Sequence, residues 1–162
     1  MNRTLSRSGR ARRRAPRRAR GGRLRLERIE GPWRRHLPGL DRLLRRLDPL
    51  LPAEIRLILT EDRVLRALKR RYFGHDAPTN VLSFPDPGGA SGEVLLALGV
   101  LRREAAAQGK RLGDHLAHLI LHGALHVAGH DHHHPAAARR MERLEARLLR
   151  RAGFANPWRG VF

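Results

Sequence analysis

Three histidines have the spacing of a metal site. His122 and His126 are four residues apart in the stretch HGALHVAGHDH, so on a helix their imidazoles lie on one face, one turn apart. Gly129 permits the left-handed backbone at which many helices end, and the following turn can bring His132 to the same point. Three imidazoles leave one position of a tetrahedral zinc ion free for water, as in catalytic zinc sites. The sequence therefore predicts a metal site formed by His122, His126 and His132, with a metal-bound water as its reactive group.

A second ligand set stays open from spacing alone. His118 lies four residues before His122, so His118, His122 and His126 could also share one helix face. We favour the set with His132, because a ligand beyond a turn closes one side of a metal better than three ligands stacked along one helix. His115 and His118 are predicted to be buried core residues.

Gly123 distinguishes this motif from that of a protease with the same histidine spacing. Metzincin proteases share the pattern HxxxHxxGxxH and carry a general-base glutamate directly after the first histidine. This chain has Gly123 there, so it lacks the carboxylate that takes a proton from water in peptide hydrolysis. Asp131 adjoins a ligand and is predicted to accept a hydrogen bond from an imidazole. The motif indicates a metal-dependent hydrolase other than a protease, whose general acid and base are not identified.

Composition limits the class of protein. The 162 residues suffice for one domain with a real core. Cysteine is absent, which excludes disulfides and thiolate metal sites and fits a reducing compartment. No apolar run has the length of a membrane span or resembles a signal peptide core, so we expect a cytoplasmic protein without a membrane partner. The formal charge of +19 predicts a polyanionic partner, most simply nucleic acid.

The basic residues are concentrated at the N-terminus. Residues 1–25 contain eleven arginines and no acidic residue. Residues 1–22 are predicted to be a disordered Arg-rich arm, because like charges are dense and large apolar side chains are few. An RNA-binding tail, a mitochondrial-type transit peptide and a mis-assigned start or solvated extension all fit this composition. Residues 23–162 are expected to form a single domain.

Hydrophobic periodicity predicts the element order β-α-β-α-β-β-α-α-α. Strands are expected over residues 24–29, 54–59, 79–84 and 93–98, and helices over residues 33–48 (starting or interrupted near Pro38), 61–72, 102–108, 112–126 and 136–151. Thr60 is the expected N-cap of the second helix. This order predicts an α+β fold with a four-stranded mixed sheet and about five helices, the central helix carrying two of the metal-ligand histidines.

Three separated blocks of the chain resemble the YbeY family of metal-dependent endoribonucleases. They are the strand PTNVLSFP at residues 78–85, the helix end at residues 104–110, and residues 115–132 with the helix behind them. The match runs in order from about residue 54 to residue 154. It implies an α+β sandwich and one Zn²⁺ per chain held by His122, His126 and His132. It also implies a zinc-dependent, single-strand-directed endoribonuclease that acts in ribosomal RNA maturation, chiefly of the small subunit, and in ribosome quality control. The small ribosomal subunit and an assembly GTPase are the implied partners.

The chain departs from this family at an arginine thought to help hold phosphate. Where many members have LNxxYR, this chain has LKRRYF at residues 68–73, so Phe73 replaces the arginine. Either Arg70 or Arg71 serves instead, with Arg71 as the candidate catalytic cation, or the replacement reduces catalytic strength. The alternative function is an RNA-binding ribosome-assembly factor whose metal is mainly structural.

Overall fold

The computed structural model describes residues 22–159. Residues 1–21 of the predicted Arg-rich arm therefore lie outside the described residues, as do residues 160–162. The elements are β1 (Leu24–Ile29), α1 (Trp33–His36), α2 (Leu40–Leu47), a 3-10 turn (Asp48–Leu50), β2 (Glu54–Thr60), α3 (Asp62–Phe73), β3 (Val81–Pro85), β4 (Ser91–Ala97), α4 (Leu98–Ala107), α5 (Leu112–Val127) and α6 (Pro135–Arg151).

The four strands form one mixed sheet in the order β1-β2-β4-β3. β1, β2 and β4 run parallel, whereas β3 is antiparallel to β4 and forms an edge of the sheet. In this register Ser83 lies opposite Val94 and Phe84 lies opposite Glu93. The predicted α+β fold with a four-stranded mixed sheet is confirmed.

Side chains alternate between the two faces of the sheet, as the pleat requires. One face packs on α5, with α2 and α6 behind it, and α3 packs on the opposite face. The α5 face is built from Ile55, Leu57, Leu59, Val94 and Leu96 of the central strands together with Leu116, Ile120, Ala124 and Val127 of α5. The α3 face is built from Leu65, Leu82, Leu95, Ala97 and Val100, with Ile58, Leu68 and Phe84 packed against them.

The predicted helix over residues 33–48 is divided at the predicted position. Leu37 has the non-helical backbone angles φ −134° and ψ 75°, because a residue before proline is pushed out of the helical region. The chain then resumes as α2, which buries Leu40, Leu43, Leu44 and Leu47.

The start of α4 and the cap of α3 differ from the sequence prediction by more than the shifts of one or two residues seen at other element ends. α4 begins at Leu98 rather than near residue 102, because Asp62 of α3 accepts a hydrogen bond from the backbone N–H of Val100 at 3.0 Å. Thr60 does not cap α3. It is the last residue of β2, and its hydroxyl donates to the carboxylate of Glu30 at 2.8 Å, while Glu61 occupies the cap position without a side-chain hydrogen bond.

No helix within residues 22–159 combines the length and the apolar character needed to cross a membrane.

Gly123 allows α5 to lie very close to the sheet. A Cβ added at Gly123 would stand 2.7 Å from Cγ1 of Val94 and 3.0 Å from the hydroxyl of Ser83. Val94 is fully buried on a central strand, so it has little room to move away. The residue that distinguishes this motif from a protease motif is thus also fixed by packing, since a glutamate at position 123 would collide with the sheet.

Gly123→Ala is expected to lower the free energy of unfolding by up to about 2 kcal/mol and to make the protein less stable than Gly113→Ala. Overpacking a core costs about 1–3 kcal/mol, and the better helix propensity of alanine offsets about 1 kcal/mol of that cost. Gly113→Ala, on the same helix, is the matched control because its Cβ would meet Leu43 at 3.5 Å and Leu37 at 3.9 Å, which are ordinary contact distances, and we expect it to be neutral or stabilising. Urea unfolding of both variants measures the difference. A Gly123→Ala protein as stable as Gly113→Ala would contradict the packing argument.

Candidate metal centre

The three histidines singled out by spacing converge at the C-terminal end of α5. One ring nitrogen from each of His122, His126 and His132 lies within 4.8 Å of the others. The Nε2 atoms of His122 and His126 are 3.0 Å apart, and the ring of His132 lies 4.9 Å from that of His126, centroid to centroid. Three imidazoles on such a triangle can share one metal ion.

The turn after α5 delivers the third histidine as predicted. α5 ends at Val127, and Gly129 has the positive φ of 92° that glycine adopts without strain. The N–H of Gly129 donates to the carbonyl of His126 and the N–H of His130 donates to the carbonyl of Leu125, both at 3.0 Å. This pair of bonds is a Schellman motif, and it turns the chain back so that His132 faces the last turn of the helix.

A buried glutamate on α6 orients the first histidine. Nδ1 of His122 lies 2.7 Å from Oε1 of Glu145, whose side chain is only 1% exposed. An ionised carboxylate can only accept, so the imidazole donates from Nδ1 and leaves the lone pair of Nε2 free. That nitrogen is the one facing His126. The contact fixes both the ring orientation and the tautomer that a metal ligand needs.

Glu145 stays ionised although it is buried. Burial acts to raise the pKa of its carboxyl, but the hydrogen bonds with His118 and His122 outweigh burial and lower the pKa to about 2. Oε2 of Glu145 lies 3.1 Å from Nε2 of His118 and accepts a further hydrogen bond, also 3.1 Å long, from the indole N–H of Trp158. The carboxylate therefore joins α5, α6 and the segment that follows α6.

His126 is held in its neutral form. Burial, followed by the nearby rings of His122 and His132, lowers the pKa of His126 to about 4, and a hydrogen bond with the backbone of His130 opposes the shift. Neutral imidazole is the form that binds metal.

The predicted core histidines are buried as expected. His115 is 4% exposed and His118 is 9% exposed, and Nε2 of His115 lies 2.8 Å from the carboxylate of Glu104. Because its Nε2 faces Glu145, His118 also belongs to a second group of potential ligands, formed by His118, His122 and Glu145. Both candidate groups thus contain His122.

Asp131 does not play the role predicted for it. It is exposed, and its carboxylate accepts a hydrogen bond from the backbone N–H of His133 at 3.3 Å. Glu145 contacts the imidazole instead. The sequence carried a signal for this residue, since Glu145 lies four residues after Met141 and four before Leu149, and all three are buried on one face of α6. An acidic residue within a core stripe requires partners of its own.

The candidate cation Arg71 lies near the end of α3, outside the histidine cluster. Its guanidinium lies 5.6 Å from the ring centre of Tyr72, and within residues 22–159 no ion pair or hydrogen bond links its side chain to the three histidines. Phe73 is half exposed on the same turn. The structure therefore brings together the three histidines but leaves Arg71 apart from them.

Comparison with known proteins identifies the family of this chain. The family model described as "Endoribonuclease YbeY" matches residues 39–153. Endoribonuclease YbeY of Gluconobacter oxydans is 42% identical over 138 residues, which cover 78% of this chain and 82% of that protein. The Rhodospirillum rubrum protein of the same name is 38% identical, with 84% and 81% covered. The Halorhodospira halophila protein is 42% identical, with 75% and 88% covered.

A solved structure shares the fold. The solution structure of TM1509 from Thermotoga maritima superposes with a TM-score of 0.53, covering 83% of this chain and 97% of that protein at 20% sequence identity. The family model spans well over half of the chain, and the relatives match most of their own length. The chain therefore belongs to the YbeY endoribonuclease family.

Proposed function

We propose that this protein is a zinc-dependent endoribonuclease that cleaves single-stranded RNA during ribosomal RNA maturation, chiefly of the small subunit, and in ribosome quality control. The observation that carries the proposal is the convergence of three imidazoles that could bind one metal ion. One of them, His122, is held by the buried carboxylate of Glu145. The names of its relatives support RNA as the substrate. In this proposal residues 23–162 form one hydrolase domain that acts in the cytoplasm, on the small ribosomal subunit and with an assembly GTPase.

The geometry of the three histidines fits one zinc ion per chain. Bonds of about 2.0–2.1 Å in a tetrahedral site place two ligand nitrogens about 3.3 Å apart, close to the 3.0 Å between Nε2 of His122 and Nε2 of His126. His122, His126 and His132 would hold the ion. When bound, zinc would lower the pKa of its water toward about 7 and polarise a phosphoryl oxygen. Phosphodiester hydrolysis needs both effects.

The chain's own residues supply orientation and charge. Glu145 keeps Nε2 of His122 directed at the centre, and the excess of arginine attracts the polyanionic substrate. Arg71 and Arg70 are proposed to contact substrate phosphate from the end of α3, in place of the arginine that Phe73 replaces. Unpaired RNA can bend to present a phosphate to a site of this kind more easily than a stiff duplex can.

A second function is an RNA-binding ribosome-assembly factor with a mainly structural metal. The observation in its favour is Phe73, which is 51% exposed at the position of the family's arginine and carries no charge. The two functions differ in whether loss of metal abolishes cleavage or only weakens the fold.

Purified wild-type protein is expected to contain about one zinc per chain, and His126→Ala is expected to contain almost none. Removal of one of three ligands leaves too few protein donors for a stable site. Elemental analysis by mass spectrometry on untagged protein measures the metal content.

Two variants serve as controls for this measurement. His133→Ala should keep the metal, because His133 stacks outside the cluster on the ring of His132 at 5.9 Å. His118→Asn should also keep the metal, since in our proposal His118 binds Glu145 and not the ion. Loss of metal in His118→Asn with retention in His132→Ala would instead indicate the group formed by His118, His122 and Glu145.

Glu145→Gln is expected to weaken zinc binding about 10- to 100-fold while the protein stays folded. The amide is isosteric but uncharged, so it holds the Nδ1–H of His122 less strongly and lowers the basicity of the ligand. Competition with a chromogenic chelator measures the zinc affinity. Glu142→Gln is the matched control on the same helix, because Glu142 lies outside both groups of potential ligands. Equal affinities of the two variants would remove Glu145 from the site.

Wild-type protein with zinc is expected to cleave an unstructured RNA, and His126→Ala is expected to cleave it at least about 100-fold more slowly while binding it equally well. A gel assay with end-labelled RNA measures cleavage, and a duplex of the same sequence tests the preference for single strands. If His126→Ala cleaved the RNA at the wild-type rate, the cleavage would come from a contaminating nuclease. Absence of cleavage by zinc-loaded wild type, with RNA binding intact, would favour the assembly factor.

A further inference from the structure

We propose that Tyr72 and Phe73 form a stacking platform for unpaired bases of single-stranded RNA. The inference rests on the proposed function in one respect, that RNA is the ligand. It assigns to Phe73 a role of its own: this residue contacts bases, whereas the neighbouring arginines contact phosphates.

The platform consists of exposed aromatic side chains. Tyr72 is 59% exposed and Phe73 is 51% exposed, and they are the exposed large hydrophobic residues among residues 22–159. Single exposed hydrophobic residues are common on protein surfaces. Two neighbouring exposed aromatic rings offer a surface on which nucleobases can stack. Every base has a π face, so such stacking does not depend on the RNA sequence.

The two rings are held in place by a third aromatic residue. The ring of Tyr72 meets the ring of Phe84 edge to face at 5.5 Å, and the ring of Phe73 lies 6.2 Å from Phe84. Phe84 itself is anchored in β3 opposite Glu93. α3 ends directly after the platform at Gly74, whose φ of 71° closes the helix. A platform supported by a strand loses little conformational freedom when a base stacks on it.

Positive charge surrounds the platform. Arg70 and Arg71 lie in the last turn of α3, and neither forms an ion pair with another residue of the described chain, whereas the neighbouring Arg66 is paired with Asp76. The guanidinium of Arg71 lies 5.6 Å from the centre of the Tyr72 ring. Arginine beside an aromatic face suits a ligand in which bases alternate with phosphates. This complementarity favours RNA over an apolar protein segment as the occupant.

The platform and the histidines lie near the same edge strand. Phe84 points to the α3 face of the sheet, and its neighbour Ser83 points to the other face, where its hydroxyl is 3.0 Å from the Cβ position of Gly123. Gly123 directly follows His122. The platform and the histidine cluster thus lie on opposite faces of the sheet beside the edge strand β3, so an RNA strand that contacts both must cross this edge. Bases paired within a duplex cannot offer their faces to the platform, so this arrangement also favours unpaired RNA.

The test compares binding to a hexamer of adenylate with binding to an abasic ribose-phosphate hexamer. Full-length protein is treated with chelator so that cleavage cannot occur, and affinities are measured by fluorescence anisotropy at one salt concentration. Wild type should bind the adenylate hexamer at least about 10-fold more tightly than the abasic chain. Phe73→Leu and Tyr72→Leu should lose most of this difference, while Phe73→Tyr should keep it. The exposure of both side chains means that all variants should fold, and thermal unfolding verifies this.

Arg71→Gln provides the matched test of phosphate contact. It should weaken binding of both hexamers by the same factor and reduce the slope of log affinity against log salt by about one. The platform is rejected if wild type binds both hexamers equally, or if the leucine variants bind the adenylate hexamer like wild type. Unchanged RNA binding together with a leucine variant that loses self-association in sedimentation would instead identify the patch as a contact between copies.

The outcome is separable from that of the proposed function. Base-dependent binding without any cleavage in the zinc-loaded protein would reject the endoribonuclease and keep the platform. Cleavage by the zinc-loaded protein together with equal binding of the two hexamers would keep the endoribonuclease and reject the platform.

Discussion

The buried carboxylate of Glu145 is the interaction on which the histidine centre depends. A lone charge removed from water costs several kcal/mol, and here the cost is offset by hydrogen bonds from His118, His122 and the indole of Trp158. These donors come from α5 and from the segment after α6. The same contact therefore stabilises the packing of α6 against α5 and sets the ring of His122, so that the fold and the site share one polar anchor.

This anchor also divides the row of histidines on α5 by role. His118, His122 and His126 follow one another at four-residue intervals along one helix face. The carboxylate contacts Nε2 of His118 but Nδ1 of His122. Nε2 of His118 therefore faces the buried carboxylate, whereas Nε2 of His122 faces His126. This arrangement supports His118 as a structural residue and His122 as a ligand.

The parts predicted correctly from sequence are those specified by local signals. Hydrophobic periodicity predicted the strands and α5, and Gly129 predicted the turn that returns His132. The start of α4 was misplaced because its signal, the carboxylate of Asp62, lies 38 residues away and meets the Val100 N–H only in the fold.

The polar partners of the site were harder to predict, since partner choice is a tertiary property. Asp131 was favoured as the imidazole partner because it adjoins a ligand in sequence. Glu145 takes that place because α6 packs behind α5, and its position on the buried stripe of α6 was the available clue. Trp158 follows the last helix in a segment without periodic pattern, so its contact with Glu145 had no local signal.

The central claim is that His122, His126 and His132 share one metal ion while Glu145 holds His122 from behind. Anomalous diffraction at the zinc edge from crystals of the zinc-loaded protein tests it most directly. We predict one strong peak about 2.0–2.1 Å from a nitrogen of each of the three imidazoles, with Glu145 still within hydrogen-bond distance of Nδ1 of His122. A peak bound by His118 or by a carboxylate oxygen of Glu145, in place of His132, would contradict the account.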